Sequence, residues 1–381
     1  MKYGIVVGKF YPLHRGHVDL IQKASTQVDR LFVVVSHSDS RDQKLFEDSK
    51  MKKGLTAKDK LKIVQKTFQL QKEIITPVLV DESAVPAYPH GWLPWSKLVV
   101  DAVESHRNAP VDLDWNSNVY FFSSEPQDAE GYLQYFGAKT ILIDPDRAEV
   151  NISATMVRND PAKYWDYLPR ASREALAPVV VIAGGESSGK TFMTEKLGNY
   201  FGTTTVWEFG RSYCDLELGG DESALQFSDY GVIANGHYQD VRFAKRNANR
   251  FVISDTDYVA TQNFCIMYEN QESNEVENFI VNDPFDLVIL LDNSTPWVND
   301  GMRLIGDDER RKAFQDSLKM LYNRYGIPYV EVTASDFETR YELCKKIVHE
   351  YIYNKVSVKE LQFKVDNEWT NQEEKENERI I

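Results

Sequence analysis

A complete phosphate-binding loop pattern near the middle of the chain restricts the possible folds more than any other feature. Residues 184–191 read GGESSGKT and match G-x-x-x-x-G-K-[ST] at every defined position. The loop follows a hydrophobic run, 179–182, and precedes a helical pattern that starts at Phe192. A strand, such a loop and a helix in this order are typical of an α/β domain with a parallel sheet. The sequence therefore predicts a P-loop domain that binds nucleotide phosphates through backbone amides.

Two side chains of the loop are expected to act on the nucleotide directly. Lys190 is placed to contact the β- and γ-phosphates of ATP, and the Thr191 hydroxyl to bind Mg²⁺. A glycine-rich turn with an exposed lysine is the alternative, which the flanking strand and helix disfavour. The other predicted ATP-binding residues of this domain are Gly184, Gly185, Glu186, Ser187, Ser188 and Gly189.

Acidic residues follow the next two strand-like runs of the same domain. Glu208 and Arg211 come just after one run, and Asp255 and Asp257 come just after the other. Because the carboxyl ends of parallel strands line the nucleotide crevice, these side chains are expected to bind the phosphate acceptor. Asp255 or Glu208 is the candidate general base, and Asp255 is also a candidate Mg²⁺ ligand. Either aspartate could instead be a helix N-cap, and for Asp257 neither interpretation is favoured.

A charged stretch beyond Pro296 and Trp297 carries three arginines, Arg303, Arg310 and Arg311. P-loop kinases close a mobile basic lid over the transferred phosphate, because charge spreads onto its oxygens in the transition state. The three arginines are therefore lid candidates, and a solvated helix face is the competing interpretation. The sequence lacks the loop set of protein kinases, which favours a small molecule as the acceptor.

The beginning of the chain carries a second candidate phosphate site. A buried strand is predicted at 3–7, and the helix after it opens with His14, Gly16 and His17. A helix N-terminus has unpaired amides and the positive end of the helix dipole, so two imidazoles there form a natural site for a triphosphate. The predicted ATP-binding residues ahead of the histidines are Gly8, Lys9 and Phe10.

Alternating strand and helix patterns continue along the chain and break once, in a charged stretch with three prolines from Asn159 to Pro178. We therefore expect two domains, at 1–170 and 171–353, followed by a loosely attached polar tail at 354–381. Further strands are expected at 31–35, 119–122, 140–143, 251–254, 287–291 and 328–332. Capping boxes are expected to start helices at Thr56 with Asp59, where the helix should end near Leu70, and at Ser335 with Glu338.

Charge and cysteine content restrict the partners and the compartment. The chain has 381 residues, of which 44 are basic and 58 acidic, and the resulting charge of -14 argues against a general grip on nucleic acid. Three widely spaced cysteines fit neither a zinc site nor a disulfide framework. The apolar runs are too short to cross a bilayer. A cytoplasmic protein without membrane insertion is expected, and the sequence leaves open whether it is a homo-oligomer.

Two motifs of the first half resemble those of the nucleotidylyltransferase superfamily. Residues 14–17 match H-x-G-H, and residues 152–158, ISATMVR, are similar to I-S-x-T-x-x-R. With a P-loop domain behind them, the chain resembles the NadR family, in which a nicotinamide-mononucleotide adenylyltransferase is fused to a ribosylnicotinamide kinase. Shorter matches to that family lie at 89–92 with Trp95, 123–125, 144–147, 207–211, 255–257 and 296–301.

The resemblance implies two catalytic domains that use ATP and Mg²⁺ to turn ribosylnicotinamide into nicotinamide mononucleotide and then into NAD. In the Rossmann-like first domain, His14 and His17 would act on the ATP phosphates, with Ser153, Thr155 and Arg158 at the β- and γ-phosphates. The residues implied for the nicotinamide are Trp92 and Trp95, for which ordinary core packing is the alternative. Those implied for ribosylnicotinamide are Glu208, Arg211, Asp255, Asp257 and Trp297.

One departure from the family and two competing functions remain. Some members carry an N-terminal helix-turn-helix, whereas here a strand is predicted from Tyr3, so direct DNA binding is not expected. The same transferase chemistry could serve another phosphorylated acceptor, such as a pantetheine or a different nucleoside substrate. The chain could instead be a sensor that binds ATP or NAD and controls a partner.

Overall fold

The structure, a computed structural model, describes residues 1–87, 90–293, 308–334 and 336–369. The chain forms two units, Met1–Leu176 and Ala177–Ile381. Each unit contains its own five-stranded parallel sheet with helices between the strands. The predicted α/β class with two parallel sheets is therefore confirmed. The predicted positions Pro89, Arg303 and Ser335, the segment 296–301 with Trp297, and the tail from residue 370 lie outside the described residues.

The first unit is built around strand β1, which lies at the centre of a sheet with the order β3-β2-β1-β4-β5. Side chains on one face of this sheet, such as Tyr3, Ile5 and Phe32, are fully buried and form the core of the unit. The strands are β1 (Tyr3–Gly8), β2 (Arg30–His37), β3 (Ile75–Asp81), β4 (Val119–Ser123) and β5 (Lys139–Leu142). The helices are α1 (Arg15–Ser25), α2 (Asp39–Glu47), α3 (Ala57–Thr67), α4 (Trp92–Glu104), α5 (Ala129–Phe136), α6 (Ala154–Asn159) and α7 (Arg170–Leu176).

The second unit repeats this plan around β6, at the centre of a sheet with the order β10-β9-β6-β8-β7. Apolar strand residues such as Val180, Ile182 and Ile289 are fully buried between two helix layers. The strands are β6 (Val179–Ala183), β7 (Thr204–Val206), β8 (Val252–Asp255), β9 (Leu287–Leu291) and β10 (Tyr329–Val332). The helices are α8 (Lys190–Phe201), α9 (Phe209–Glu217), α10 (Asp229–Arg246), α11 (Tyr258–Glu269), α12 (Asn274–Asn282), α13 (Asp308–Arg324), α14 (Phe337–Tyr353) and α15 (Val358–Lys364).

Strand β3 was not among the predicted strands, and it contains a proline, Pro77. A proline cannot donate a backbone hydrogen bond, so it is disfavoured inside a sheet. Here β3 is an edge strand that pairs only with β2 among the described residues, and Pro77 lies opposite Val33. The open edge tolerates the missing donor, so the strand forms despite its sequence signal.

Helix boundaries confirm one capping prediction and correct another. Thr56 and Asp59 form the expected capping box of α3, although the helix ends at Thr67 rather than near Leu70. The N-cap of α14 is Asp336, whose carboxylate accepts a hydrogen bond from the Thr339 amide at 2.8 Å. Helix α14 therefore begins at the aspartate, and the predicted capping box at residues 335 and 338 is wrong.

The polar tail predicted from residue 354 is wrong for its first part. Ser357 and Glu360 form a capping box that starts α15, and a π-helical turn follows it. Leu361 and Val365 are one turn apart and buried at 0% and 4% exposure against the core of the second unit. The Gln362 side chain accepts a hydrogen bond from a β10 amide at 2.6 Å, so this helix covers the edge of the sheet. None of the described helices is both long enough and apolar enough to span a membrane.

Candidate active sites

The first site forms where β1 ends and α1 begins. Gly8 ends the strand, and a Cβ atom there would lie only 2.7 Å from the Phe10 ring. Phe10 itself turns the chain with a positive φ of 46°. His14 is the N-cap of α1, and its ring nitrogen accepts a hydrogen bond from the His17 amide. This tight turn brings both histidines of the motif to the positive end of the helix dipole.

The two imidazoles of the motif lie in contact, and their burial favours the neutral form of each ring. The rings of His14 and His17 stack with their centroids 3.7 Å apart, and Phe10 meets His17 edge-on at 5.0 Å. Burial lowers the pKa of His14 to about 2 and the pKa of His17 to about 3, and nearby cationic side chains lower both further. Each neutral ring offers one N–H donor rather than a full positive charge. Phe10, expected to contact ATP, is buried and supports the His17 ring instead.

A cavity of about 240 Å³ lies in front of the histidines, and the second motif lines its far side. Ser153 caps α6 by accepting a hydrogen bond from the Met156 amide at 3.2 Å. Arg158 donates to the Tyr11 carbonyl at 2.8 Å and to the Thr155 hydroxyl at 2.9 Å. Ser153 and Thr155 therefore line the cavity, while Arg158 ties the second motif to the loop that carries the first.

The charged side chains lining this cavity are all paired within the protein. Asp19 forms an ion pair with Lys23 at 2.9 Å, and Glu125 forms one with Arg147 at 2.5 Å. The carboxylate of Asp144 accepts hydrogen bonds from the amides of residues 148–150. No carboxylate among the described lining residues is thus left as an obvious general base.

A second cavity of the first unit, about 540 Å³ in volume, lies beside Gly8 and Lys9. Trp92 and Trp95 line it, and their rings meet edge-on with centroids 5.4 Å apart. Trp92 also packs against Gly131, where a Cβ atom would lie 2.4 Å from the indole. The two tryptophans therefore pack against the core, as the alternative interpretation expected, and they also form the wall of a cavity, so a contact with the nicotinamide stays a prediction.

The second site forms where β6 ends and α8 begins. The P-loop is turned by Gly184 and Gly189, whose φ values of 147° and 87° favour glycine. Lys190 is buried at 9% exposure, and its ammonium group donates to the Gly185 carbonyl at 3.0 Å. The lysine is thus held over the loop by one hydrogen bond, which a phosphate oxygen can replace.

Two later side chains that the sequence did not single out hold the P-loop in shape. The amide of Gly185 donates to the Gln315 side chain at 3.1 Å, and the Gln315 amide group donates to the Leu291 carbonyl at 3.1 Å. Arg340 is fully buried and donates to the Ser188 carbonyl at 2.8 Å. A buried glutamine and a buried arginine have no recognisable spacing relative to the loop, so no local signal could have identified them.

Asp255 lies at the end of β8 beside the loop. The Thr191 hydroxyl donates to one carboxylate oxygen at 2.6 Å, and the other oxygen is buried without a hydrogen-bond partner in the described part of the chain. Burial, and then the nearby Glu208 carboxylate, raise the pKa of Asp255 to about 6. Hydroxyl and carboxylate oxygens are ligands that Mg²⁺ accepts, and the uncommitted oxygen leaves room for one. The predicted metal pair, Thr191 and Asp255, therefore lies together.

A cavity of about 310 Å³ opens in front of the P-loop and collects most of the predicted kinase residues. Lys190, Thr191, Glu208 and Arg211 line it, together with Phe264. No group of three or more His, Cys, Asp or Glu side chains that could hold a metal exists among the described residues. A magnesium ion here would consequently need phosphate oxygens as further ligands, as is usual for ATP-dependent kinases.

Comparison with known proteins agrees with both sites. A cytidylyltransferase-like family model matches residues 5–160, and an AAA domain model matches residues 179–340. The trifunctional NAD biosynthesis/regulator protein NadR of Salmonella typhimurium is 44% identical over 91% of this chain and 82% of its own length. The chain belongs to the NadR family.

Two solved structures support the NadR fold as well. A NadR protein crystallised with NR has a TM-score of 0.73 and 24% identity, and one crystallised with NAD and AMP-PNP has a TM-score of 0.72 and 23% identity. Each comparison covers 93% of this chain and 97% of the other. The predicted family and class, a nucleotidyltransferase joined to a kinase in NAD biosynthesis, are therefore confirmed.

Asp257 of this NadR-family chain has a structural position. It is the N-cap of α11, where its carboxylate accepts a hydrogen bond from the Ala260 amide at 2.9 Å. Its second oxygen accepts one from the Tyr322 hydroxyl at 2.8 Å. Asp257 does not line the cavity at the P-loop, so its expected contact with ribosylnicotinamide is replaced by helix capping.

The turn between the two aspartates is strained and supported from behind. Thr256 has a φ of 78°, which is unfavourable for a β-branched residue. On either side of it, the Asp255 carboxylate lies beside the P-loop and the Asp257 carboxylate caps α11. The Thr256 carbonyl accepts a hydrogen bond from the Ser254 hydroxyl at 3.0 Å, and that hydroxyl lies 3.0 Å from the buried His237 ring nitrogen Nε2. This chain of contacts fixes the backbone on either side of Asp255.

Two of the three arginines predicted for a lid lie in the described part of the chain. Arg310 is exposed on α13, as a lid residue would be. Arg311 is buried at 4% exposure, and its carbonyl accepts a hydrogen bond from the Asn293 side chain at 2.8 Å. Arg311 is therefore packed beside the P-loop and is not part of a solvated, mobile face. The third lid candidate and the predicted tryptophan contact of the acceptor lie outside the described residues.

Proposed function

We propose that this chain makes NAD in two consecutive reactions at two separate sites. The second unit transfers the γ-phosphate of ATP to ribosylnicotinamide, giving nicotinamide mononucleotide. The first unit joins that product to the AMP portion of a second ATP, giving NAD and pyrophosphate. The observation that carries the proposal is the contrast between a P-loop beside a carboxylate and a helix N-terminus with two neutral histidines. Crystal complexes of a related NadR protein with NR, and with NAD and AMP-PNP, support the same ligands.

In the kinase reaction, Lys190 and the loop amides hold the ATP phosphates and Asp255 receives the proton. The 5′-hydroxyl of ribosylnicotinamide loses its proton to the Asp255 carboxylate as its oxygen bonds to the γ-phosphorus, while the bond from that phosphorus to the bridging oxygen breaks and ADP leaves. The raised pKa of about 6 suits a base that works near neutral pH. Glu208 and Arg211 would then hold the ribose hydroxyls, since they line the same cavity. A bound Mg²⁺ would neutralise phosphate charge beside Thr191 and Asp255.

In the adenylyl-transfer reaction, the attacking group is the phosphate of nicotinamide mononucleotide. This phosphate is already ionised, so its oxygen can bond to the α-phosphorus of ATP without a general base while pyrophosphate leaves. His14 and His17 donate N–H groups to the phosphate oxygens, and the α1 amides add to the same field. Ser153 and Thr155 lie across the cavity, where the β- and γ-phosphates would extend.

The nicotinamide ring of the acceptor would occupy the larger cavity of the first unit. A pyridinium ring is cationic, and the indole faces of Trp92 and Trp95 attract such a ring. Lys9 and Gly8 lie at the same cavity, on the strand end that leads to the histidines. The acceptor phosphate would therefore lie between the tryptophans and the histidine pair.

The compartment follows from the same proposal. Both reactions consume ATP, and the three cysteines, Cys214, Cys265 and Cys344, are free and buried. Free thiols in a nucleotide-dependent enzyme fit the reducing cytoplasm.

The test is product analysis of the purified full chain with ATP and Mg²⁺. One reaction receives ribosylnicotinamide, and a parallel reaction receives nicotinamide mononucleotide. NAD from both substrates, with nicotinamide mononucleotide as an intermediate in the first, is expected. NAD from the mononucleotide alone would remove the kinase assignment, and binding of ATP without any product would favour the sensor function instead.

A further inference from the structure

An arginine outside both sequence motifs lies in the cavity in front of the histidine pair. Arg147 and Glu125 both line this cavity, and the Arg147 guanidinium forms an ion pair with the Glu125 carboxylate at 2.5 Å. Their side chains are 41% and 40% exposed, so the pair is open to solvent and to a ligand. Ion pairs with this exposure contribute little to stability. The Glu125 carboxylate also accepts a hydrogen bond from the Gln127 side chain at 2.9 Å, so it keeps a partner when the arginine leaves.

The cavity needs a cation, and Arg147 is the candidate that its lining supplies. Burial keeps His14 and His17 uncharged, because it lowers the pKa of both well below neutral pH. Arg158 has its guanidinium nitrogens on the Tyr11 carbonyl and the Thr155 hydroxyl. Arg147 is the one arginine or lysine among the described residues that line this cavity. The Arg147 guanidinium would thus supply the fixed positive charge that a bound triphosphate needs.

The backbone holds Arg147 in place before any ligand arrives. Residues 144 and 147 have φ values of 47° and 51°, which are uncommon outside glycine. The Asp144 carboxylate accepts hydrogen bonds from the amides of residues 148, 149 and 150 and so fixes the loop around the arginine. Strained backbone that is held by its surroundings is frequent at ligand sites.

We propose that Arg147 binds the triphosphate of ATP in the adenylyl-transfer site, and that Glu125 holds its guanidinium until ATP displaces it. This inference rests on the proposed adenylyl-transfer function. One guanidinium nitrogen now contacts one Glu125 oxygen, and the planar guanidinium can form two parallel hydrogen bonds to phosphate oxygens once it is released. After transfer, Glu125 competes with pyrophosphate for the arginine and favours its release.

The exchange predicts effects of opposite sign at the two residues. Loss of Arg147 weakens ATP binding and slows transfer, because a charge that stabilises the reacting phosphates is gone. Loss of the Glu125 charge frees the arginine, so ATP and pyrophosphate bind more tightly. If the pair only stabilised the loop, loss of either partner would weaken ATP binding.

The experiment compares Arg147→Ala, Arg147→Lys, Glu125→Gln and the double variant in the full chain. For NAD formation from nicotinamide mononucleotide, Arg147→Ala should lower kcat/KM for ATP about 10²- to 10³-fold, the usual effect of removing one transition-state donor. Arg147→Lys should recover part of the loss, because it restores the charge but not the fork. Glu125→Gln should lower KM for ATP and Ki for pyrophosphate about two- to fivefold, as release of one exposed ion pair permits.

Two controls separate this inference from folding defects and from simple charge removal. Thermal unfolding of each variant, followed by circular dichroism, reports whether the first unit is folded, and Arg173→Ala removes an arginine from a partly exposed pair with Asp166 in the same unit. In the Arg147→Ala background, Glu125→Gln should no longer tighten ATP binding. A higher KM for Glu125→Gln, or a gain that persists without Arg147, would overturn the exchange. If the wild-type chain makes no NAD from the mononucleotide, the proposed function fails first, and this inference falls with it.

Discussion

The two units carry different ionisable groups where the central strand of each sheet ends. In the first unit, two imidazoles whose neutral form burial favours lie at a helix N-terminus and line a cavity, and every described carboxylate lining it is already paired. In the second unit, Lys190 lies over a glycine-rich loop, and one oxygen of Asp255 has no partner in the described chain. Both sites follow the central strand of a parallel sheet, so the architecture does not explain the difference.

The difference follows from the group that attacks the phosphorus. A phosphate acceptor is ionised at neutral pH and needs only orientation and neutralisation of charge. A ribose hydroxyl must lose a proton, so a carboxylate with a raised pKa has to stand close to the reacting phosphate. The comparison teaches that a carboxylate with one oxygen free to accept a proton, more than the groups that bind phosphate, indicates which reaction a site can perform.

The largest expected effect comes from removing the cation of the P-loop. Lys190→Ala should reduce phosphorylation of ribosylnicotinamide by about 10³-fold or more, since the lysine neutralises the transferring phosphate. Adenylyl transfer to nicotinamide mononucleotide should be unchanged, because the first unit has its own phosphate site. The measurement is the initial rate of each reaction with saturating ATP. A matched fall in both rates, with the fold preserved by circular dichroism, would break the comparison.

The next effect tests the unpaired carboxylate against its neighbour. Asp255→Asn should lower kcat of the kinase reaction about 10²- to 10⁴-fold, the range of general-base catalysis. Asp257→Asn is the matched control, because it makes the same change two residues away at a helix cap. Its kinase rate should stay within a fewfold of wild type. Glu208→Gln decides the remaining alternative, and a larger loss there than at Asp255 would move the base to the glutamate.

The smallest effect is a difference in pH dependence. Asp255 acts as a base only when ionised, and burial raises its pKa to about 6 in the free protein, so kcat/KM, which reports the free enzyme, should fall as pH drops through that value. The acid limb should be absent from the residual activity of Asp255→Asn. A limb near 4, the value of an unperturbed carboxylate, would show that burial does not raise the pKa of the base. Imidazole titration should add no limb near neutral pH to adenylyl transfer, since both histidines stay neutral.

The features that could be predicted from the sequence are those that depend on residues close together in the chain. The P-loop, the histidine motif and the Thr56 capping box each need only local spacing, and a strand next to a helix places them at a sheet edge. Strand β3 was not predicted, and it contains Pro77, which lacks a backbone N–H donor and is tolerated in a sheet at an edge position. Helix α15 was hidden by its charged exterior, although two buried residues one turn apart anchor it.

The missing parts of the sites depend on contacts between distant residues. Glu125 and Arg147 are on different elements and meet only in the folded cavity. The sequence favoured a functional role for Asp255 and left Asp257 undecided, and in the structure Thr256 between them has a positive φ, with Asp255 beside the P-loop and Asp257 at a helix cap. Burial decides the charge of the histidines, and the motif itself carries no sign of it. Ion pairing, backbone strain and burial are properties of the fold. A linear motif could therefore predict where these sites lie, but not their remaining residues or the charges of their side chains.

The most direct test of two independent sites is complementation between two single-site variants. Lys190→Ala should make no nicotinamide mononucleotide from ribosylnicotinamide, and His17→Ala should make the mononucleotide but no NAD. A mixture of the two purified variants with ATP, Mg²⁺ and ribosylnicotinamide should produce NAD, because the mononucleotide made by one variant diffuses to the other. If the mixture yields no NAD while wild type does, the two reactions do not occur at separable sites and the account is wrong.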